Sequence, residues 1–214
     1  MFATEARSDE RTHQLVRTLA SAWSFPADDA QVAALVAYGD MLLRWTARIN
    51  LTAARSIDVL VGEHFPDAFA LARRLEGTAR LDRVVDVGSG GGLPAIPLAL
   101  LRPGLSVELV EPIAKKAAFL RTAIRDLALG DRVSVRMARG EAVARAIAAD
   151  RPSAFDVAIS RATLAPAKWL ALGVRLVRPG GRVFVLTTAD ALPELPDREV
   201  YFDGRRSLIE VVAP

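Results

Sequence analysis

From residue 82 onward, short β-branched runs alternate with helix-length stretches, and this alternation limits the possible folds more than any other feature. The runs are Val84–Val87, Val107–Val110, Val133–Met137, Val157–Ile159 and Val183–Leu186. Between them lie Pro94–Leu101, Ala114–Leu129, Glu141–Ala149 and Pro166–Val177. A strand that must return through a helix to a second parallel strand builds a doubly wound sheet with right-handed crossovers. After residue 198 the rhythm breaks. Glu199–Phe202 and Leu208–Val212 flank Asp203-Gly204-Arg205-Arg206, a spacing that predicts a β-hairpin.

The part before residue 79 reads differently. The first 25 residues are polar and loosely patterned, and Leu15, Val16 and Leu19 predict a short helix. Asp28 is placed as an N-cap, followed by Val32, Leu35, Val36, Leu42 and Leu43 at helical spacing. That helix should end before Asn50-Leu51-Thr52. A second helical segment is expected around Val59–Leu75, with Gly77 as its stop. Residues 1–78 are therefore expected to form an N-terminal helical extension, and 79–214 the sheet domain, in one compact unit.

At 214 residues, 51% of them hydrophobic and 25% charged, the chain can bury a full core. No apolar window is long enough to span a membrane, and Met1–Arg11 carries charges where a signal peptide needs an apolar stretch. A cytoplasmic protein with no membrane partner is expected. Cysteine is absent, which excludes a disulfide scaffold, a zinc–thiolate site and a cysteine nucleophile. The basic charge is concentrated: residues 112–161 hold ten basic and five acidic residues, against +3 for the whole chain. Either a solvated surface or a polyanion contact accounts for that.

The strongest local motif is Asp86-Val87-Gly88-Ser89-Gly90-Gly91-Gly92-Leu93-Pro94, between the first strand and its helix. Glycines there permit a tight turn and let a ligand approach bare backbone. A dinucleotide fingerprint would put its third glycine at position 93, where this chain has Leu93. Asp-x-Gly-x-Gly-x-Gly is instead the loop of enzymes that use S-adenosyl-L-methionine (SAM). Glu111 ends the second strand, where a carboxylate can accept hydrogen bonds from both ribose hydroxyls. The fold class expected is α/β, a Rossmann-like class I SAM-dependent methyltransferase with a mostly parallel doubly wound sheet, a C-terminal antiparallel hairpin and the N-terminal helical extension.

The run Val85–Ala99 resembles the glycine loop of the RsmG (GidB) family, which methylates N7 of a guanosine in small-subunit (16S) ribosomal RNA. Further segments resemble that family in the same order. They are Trp45 with Ile49-Asn50-Leu51-Thr52, then His64-Phe65-Pro66-Asp67, then Lys115-Lys116-Ala117-Ala118-Phe119-Leu120, and finally Arg139-Gly140-Glu141 with Ser160-Arg161-Ala162. The resemblance covers roughly residues 30–186. It implies a cofactor-binding set of Asp86, Gly88, Ser89, Gly90, Gly92, Leu93, Glu111, Pro112, Gly140, Glu141 and Arg161, with Gly140 and Glu141 at the adenine edge. It implies Arg161 as the catalytic residue at the mouth where guanine enters, and Asn50, His64, Lys115, Lys116 and Arg139 as substrate or RNA contacts. No metal is implied. The partner implied is ribosomal RNA, within the small ribosomal subunit.

The chemistry is consistent with these residue types. Guanine N7 carries a lone pair and no proton, so its methylation is an in-line displacement that needs alignment and electrostatics but no general base. Ser160-Arg161-Ala162 stands where adenine-amino methyltransferases carry an Asn/Asp-Pro-Pro-Tyr/Phe clamp. The chain departs from the family at Ala68 (usually Ser), Ala95 (often Gly), Glu111 (usually Asp) and Thr187-Thr188 (commonly Lys-Gly). A family lysine after the fifth strand is thus missing, and any RNA contact it makes must come from elsewhere. Two alternatives stand beside this reading: a SAM-dependent enzyme acting on a small molecule, and a catalytically silent RNA-binding protein on the same fold. The first predicts a lid over a compact pocket, the second a degraded cofactor loop.

Overall fold

The computed structural model describes residues 2–77, 82–149, 154–161, 163–188, 198–201 and 206–214. Its helices are α1 (Phe2–Ala22), α2 (Asp29–Thr46), α3 (Ile57–Val59), α4 (Pro66–Arg74), α5 (Ala95–Leu101), α6 (Ala114–Asp126), α7 (Gly140–Ala149) and α8 (Pro166–Gly173). A π-helical turn, Leu60–His64, joins α3 to α4. The strands are β1 (Arg83–Val87), β2 (Ser106–Val110), β3 (Val133–Arg136), β4 (Phe155–Arg161), β5 (Val177–Thr188), β6 (Arg198–Tyr201) and β7 (Arg206–Val212).

The strands form one sheet in the order β3-β2-β1-β4-β5-β7-β6. β1 to β5 are parallel, and β7 runs antiparallel to both β5 and β6. This is the doubly wound sheet with a terminal hairpin that the alternation of runs predicts. Of the residues expected to turn that hairpin, Asp203-Gly204-Arg205 lie outside the described residues, and Arg206 already belongs to β7.

Successive side chains of a strand point to opposite faces, so each central strand supplies two cores. Val84, Val107, Leu109, Val157, Ile159, Phe184 and Leu186 pack on one side with α1, α2, α4, α5 and α6. Val85, Val87, Val110, Ala158, Val183 and Val185 pack on the other with α7 and α8. Val32, Leu35 and Leu42 of α2 and Phe65 and Phe69 beside and in α4 are fully buried in the first of these layers. The N-terminal helices therefore cover one face of the sheet. Asp28 caps α2 as expected, accepting from the Gln31 amide at 2.8 Å in a reciprocal capping box. The Gln31 side chain also donates to the Leu100 and Leu101 carbonyls at the end of α5.

Three expected elements differ in extent. The first helix is not short but runs over Phe2–Ala22, because Val16 and Ala20 bury against the core and anchor a stretch rich in good helix formers. The segment around Val59–Leu75 is not one α-helix. Pro66 lacks an N–H, and the chain passes through the π turn before α4 begins at that proline. Helix α8 stops at Gly173, and β5 begins already at Val177, bending at Gly180, where the register with β4 shifts.

Candidate active site

Strand order reverses between β1 and β4, so the crevice beyond their carboxyl ends is where an open α/β sheet takes ligands. A cavity of about 450 Å³ opens there. Its wall includes Gly88, Ser89, Gly90, Gly91 and Leu93 of the glycine loop, Glu111, Pro112 and Ile113 after β2, and Arg161 at the end of β4.

The loop is anchored to its neighbour strand: the Gly88 and Ser89 amides donate to the Val110 carbonyl at 2.8 and 3.2 Å. Gly88 sits at φ +79°, and a Cβ there would stand 2.3 Å from the Thr163 hydroxyl oxygen. Thr163 thus packs directly on bare backbone, and a side chain at position 88 has neither a favourable dihedral angle nor room. From behind, Tyr38 of α2 donates its hydroxyl to the Gly91 carbonyl at 2.6 Å.

Glu111 is 3% exposed, and both carboxylate oxygens are engaged. Oε2 accepts from the Gly90 amide at 2.8 Å and Oε1 from the Ile113 amide at 2.9 Å. Each oxygen keeps a second lone pair, so the carboxylate can also accept from a ligand's vicinal hydroxyls. Beneath the loop lies Asp86, 1% exposed, whose Oδ2 has no hydrogen-bond partner among the described residues. Burial pushes its carboxyl up to about 7; a hydrogen bond from Ser89 and the charge of Arg161 oppose that rise, and the charge of Glu111 adds to it. A bare glycine backbone, an acceptor carboxylate and a buried acid short of one partner together suit a nucleoside that carries a cationic group.

At the mouth, Arg161 is gripped by the π-helical segment and α4. Its Nε lies 3.1 Å from Asp67 Oδ2, and its Nη2 lies 2.6 Å from His64 Nδ1. Asp67 is almost fully buried, and the Arg161 side chain is 19% exposed. Among the described residues no three His, Asp or Glu side chains gather as a metal site, and no helix is long and apolar enough to cross a membrane.

The family model described as rRNA small subunit methyltransferase G, GidB, matches residues 31–204. The chain belongs to the GidB family. Curated GidB relatives named ribosomal RNA small subunit methyltransferase G include one from Xanthomonas campestris, 42% identical over 160 residues, which span 74% of this chain and 70% of that protein. Another, from Burkholderia pseudomallei, is 34% identical over 217 residues, spanning 95% and 92% of the two chains. Among solved structures, a Klebsiella pneumoniae protein described as a candidate O-methyltransferase superposes with a TM-score of 0.59 at 17% identity, covering 97% of this chain and all of that one. An O-methyltransferase family protein from Burkholderia thailandensis superposes with a TM-score of 0.50 at 16% identity, covering 84% and 59%. Both likenesses concern the fold. The protein is a methyltransferase of the GidB family, on the α/β fold its sequence implies.

The expected GidB residues do not all reach the cavity. Gly88, Ser89, Gly90, Leu93, Glu111, Pro112, Arg161, His64 and Lys116 line the cavity, while Asp86, in β1, and Gly92, in the loop, are buried outside its wall. Asn50, Lys115, Arg139 and Glu141 are exposed and outside the cavity wall. Gly140 is buried, and a Cβ there would meet Val87 and Leu172 at 2.7 and 3.0 Å, so close packing accounts for the glycine. Beside Asn50, it is Leu51, Thr52 and Ala53 that reach the cavity. Sequence reading missed Asp67, Thr163 and Tyr38 as parts of the site. The i, i+3 spacing of His64 and Asp67 was a usable signal for a shared partner, but that partner lies 97 residues from His64.

Proposed function

We propose that this GidB-family protein uses SAM to methylate N7 of a guanosine in small-subunit ribosomal RNA, in the cytoplasm and without a metal. The observation that carries the reading is a single cavity in which the glycine loop and Glu111 face Arg161 across the switch point of the sheet. That pairs a nucleoside cradle with a guanidinium, the group suited to guanine O6 or to stacking on the base. Residues 79–214 form the catalytic sheet domain in this reading, and residues 1–78 a helical extension that stiffens its loop.

When bound, SAM supplies an electrophilic methyl group on a sulfonium. Glu111 holds the ribose hydroxyls with the lone pairs its backbone contacts leave over, and Gly88 and Gly90 let the cofactor approach main chain. Asp86, buried behind the loop, would supply negative charge toward the cationic part of the cofactor. Ile113, 44% exposed, and Met137, 54% exposed, follow β2 and β3 and offer apolar surface to the adenine, next to Gly140 and Glu141. Arg161 orients the guanine so that N7 meets the methyl in line, and no proton has to move. The RNA backbone runs past Lys115, Lys116 and Arg139, with His64 in the cavity wall and Asn50 outside it, next to Leu51.

The test is methyl transfer from labelled SAM to unmodified small subunits, large subunits and naked ribosomal RNA. The expected result is label in small-subunit RNA, released by the mild-base cleavage that N7-methylguanosine permits. Label confined to large-subunit RNA, or none with SAM still bound, would overturn the substrate assignment.

A further inference from the structure

Arg161 ends β4 with its guanidinium held at two different nitrogens by two residues of one short segment. Asp67 Oδ2 takes Nε at 3.1 Å, and His64 Nδ1 takes Nη2 at 2.6 Å. A single contact would let a planar guanidinium swing about the bond; contacts on Nε and Nη2 together fix both its position and its plane. The segment is built for this. The π turn Leu60–His64 closes on the Phe65 amide, which donates to the Leu60 carbonyl at 3.1 Å, and Pro66 then opens α4. Phe65 and Phe69 are fully buried around it, so His64 and Asp67 project from an anchored frame.

The chemistry of the contact determines the state of His64. A guanidinium has only N–H groups to offer, so Nδ1 must be the acceptor and the imidazole proton must sit on Nε2. An imidazolium has N–H at both positions; it would set a proton against Nη2 and add a like charge beside Arg161. Asp67, in contrast, holds Nε through a buried charge pair that does not require a neutral imidazole.

We propose that His64 and Asp67 are positioning residues that tether Arg161 in the plane needed by the incoming base, with His64 acting as a neutral Nε2–H tautomer. The proposal rests on the reading that Arg161 serves the guanine. It removes His64 from the set of direct RNA contacts and adds Asp67 to the functional residues. One consequence is a brake at acid pH: protonating His64 releases one of the two tethers, and turnover at saturating SAM falls, apart from any weakening of SAM binding that protonation of Asp86 brings. Among the described residues, the charged groups that share the surroundings of His64 include Arg161 from β4, Asp67 from α4, and Glu111 and Lys116 in the cavity wall, with Glu63 exposed beside it.

Two measurements on the full chain test this. In the first, ¹⁵N NMR reads the imidazole tautomer and the exchange of the Arg161 Nε proton in wild type, His64→Asn and Asp67→Asn. The chain has two histidines, so the asparagine variant assigns the His64 signals. A neutral Nε2–H tautomer and a slowly exchanging Nε proton that Asp67→Asn speeds up are expected. In the second, turnover on small subunits at saturating SAM and, separately, SAM affinity are followed from acid to alkaline pH. His64→Ala should lose about 10- to 100-fold in turnover, with SAM affinity changed by less than about twofold, as for a tether that sets the plane of Arg161 toward the base and leaves the glycine loop and Glu111 untouched. His64→Asn, whose amide oxygen can replace Nδ1 as acceptor but does not titrate, should recover turnover and flatten the acid limb. The tether is overturned by an Nδ1-protonated His64, by wild-type turnover in His64→Ala, by an acid limb unchanged in His64→Asn, or by parallel losses of SAM affinity and turnover. Absent methyl transfer in the wild type, with the expected tautomer and slow proton both observed, would instead overturn the functional reading and leave the tether standing.

Discussion

Tyr38, on α2, and Gly91, in the glycine loop, are joined by a 2.6 Å hydrogen bond in which both partners are buried. Burial, and then the negative charge of Asp86, push the Tyr38 phenol well above its usual range, so it remains a neutral donor. The bond ties the helical extension to the loop that faces the cavity. Tyr38→Phe leaves the Gly91 carbonyl buried without its partner, which costs about 1–3 kcal/mol. Chemical denaturation should show that loss, and SAM titration should show weaker binding. A stability loss with unchanged SAM affinity would reduce the bond to a packing contact.

Glu111 holds two backbone amides and is expected to hold the ribose as well. Glu111→Ala should weaken SAM binding by about 1.5–3 kcal/mol, measured by titration calorimetry. Glu111→Gln is not a mild change at this site. Each carboxylate oxygen faces an N–H, so either orientation of the new amide sets its NH₂ against the Gly90 or Ile113 amide. Comparable losses in both variants are expected; SAM affinity unchanged in both would discard the assignment.

Asp86 gives the protein a pH dependence whose sign follows from its burial. With the folded carboxyl raised from 3.8 to about 7, the folded state keeps a proton that the unfolded chain has already lost between those values. Stability therefore declines as pH rises from about 4 to about 7 and is level above that window, with an upper bound of about 4 kcal/mol from this group. Asp86→Asn removes the slope, so the difference between the two unfolding curves across that range isolates the effect. Bound SAM should favour the ionised form and release a proton near neutral pH, read as a buffer-dependent binding enthalpy. A difference curve without slope would show that the carboxyl titrates in its ordinary range.

The exposed side of α6 tests the RNA assignment apart from the cofactor. Lys115 and Arg121 are exposed there, while Ala117, Phe119, Leu120, Ala123 and Ile124 bury the opposite side. Replacing Lys115 and Arg121 together by alanine should weaken RNA binding and lower the slope of log affinity against log salt by roughly 1–2. SAM affinity should not change. An unaltered salt slope would move the RNA path off this helix.

Much of the fold was legible because its signals are local. The β-branched runs, the Asp28 cap, the glycine loop and the hairpin each announce themselves within a few residues, and the period of two in β1, β2, β4 and β5 divides their side chains between two cores. The long first helix was not legible, since its buried anchors, Val16 and Ala20, lie only in its second half. The extended β5 was hidden as well, because Pro179, Gly180 and Gly181 read as a turn; in the fold they span the register shift with β4, and Gly180 and Gly181 exchange backbone hydrogen bonds with Ala213 after β7.

For the site, the amino-acid sequence alone determined which chemical groups are present: a bare backbone loop, an acid after β2 and an arginine after β4, all at the ends of strands where a parallel sheet must gather them. The tertiary structure decided what those groups touch. It brought His64 and Asp67 onto Arg161, Thr163 onto Gly88 and Tyr38 onto Gly91, and it left Asn50, Lys115, Arg139 and Glu141 outside the cavity wall. Residue type and strand position follow from short-range sterics and hydrophobic pattern. Contacts between segments distant in the chain follow from how helices pack across the sheet, and no local window of the sequence contains that packing.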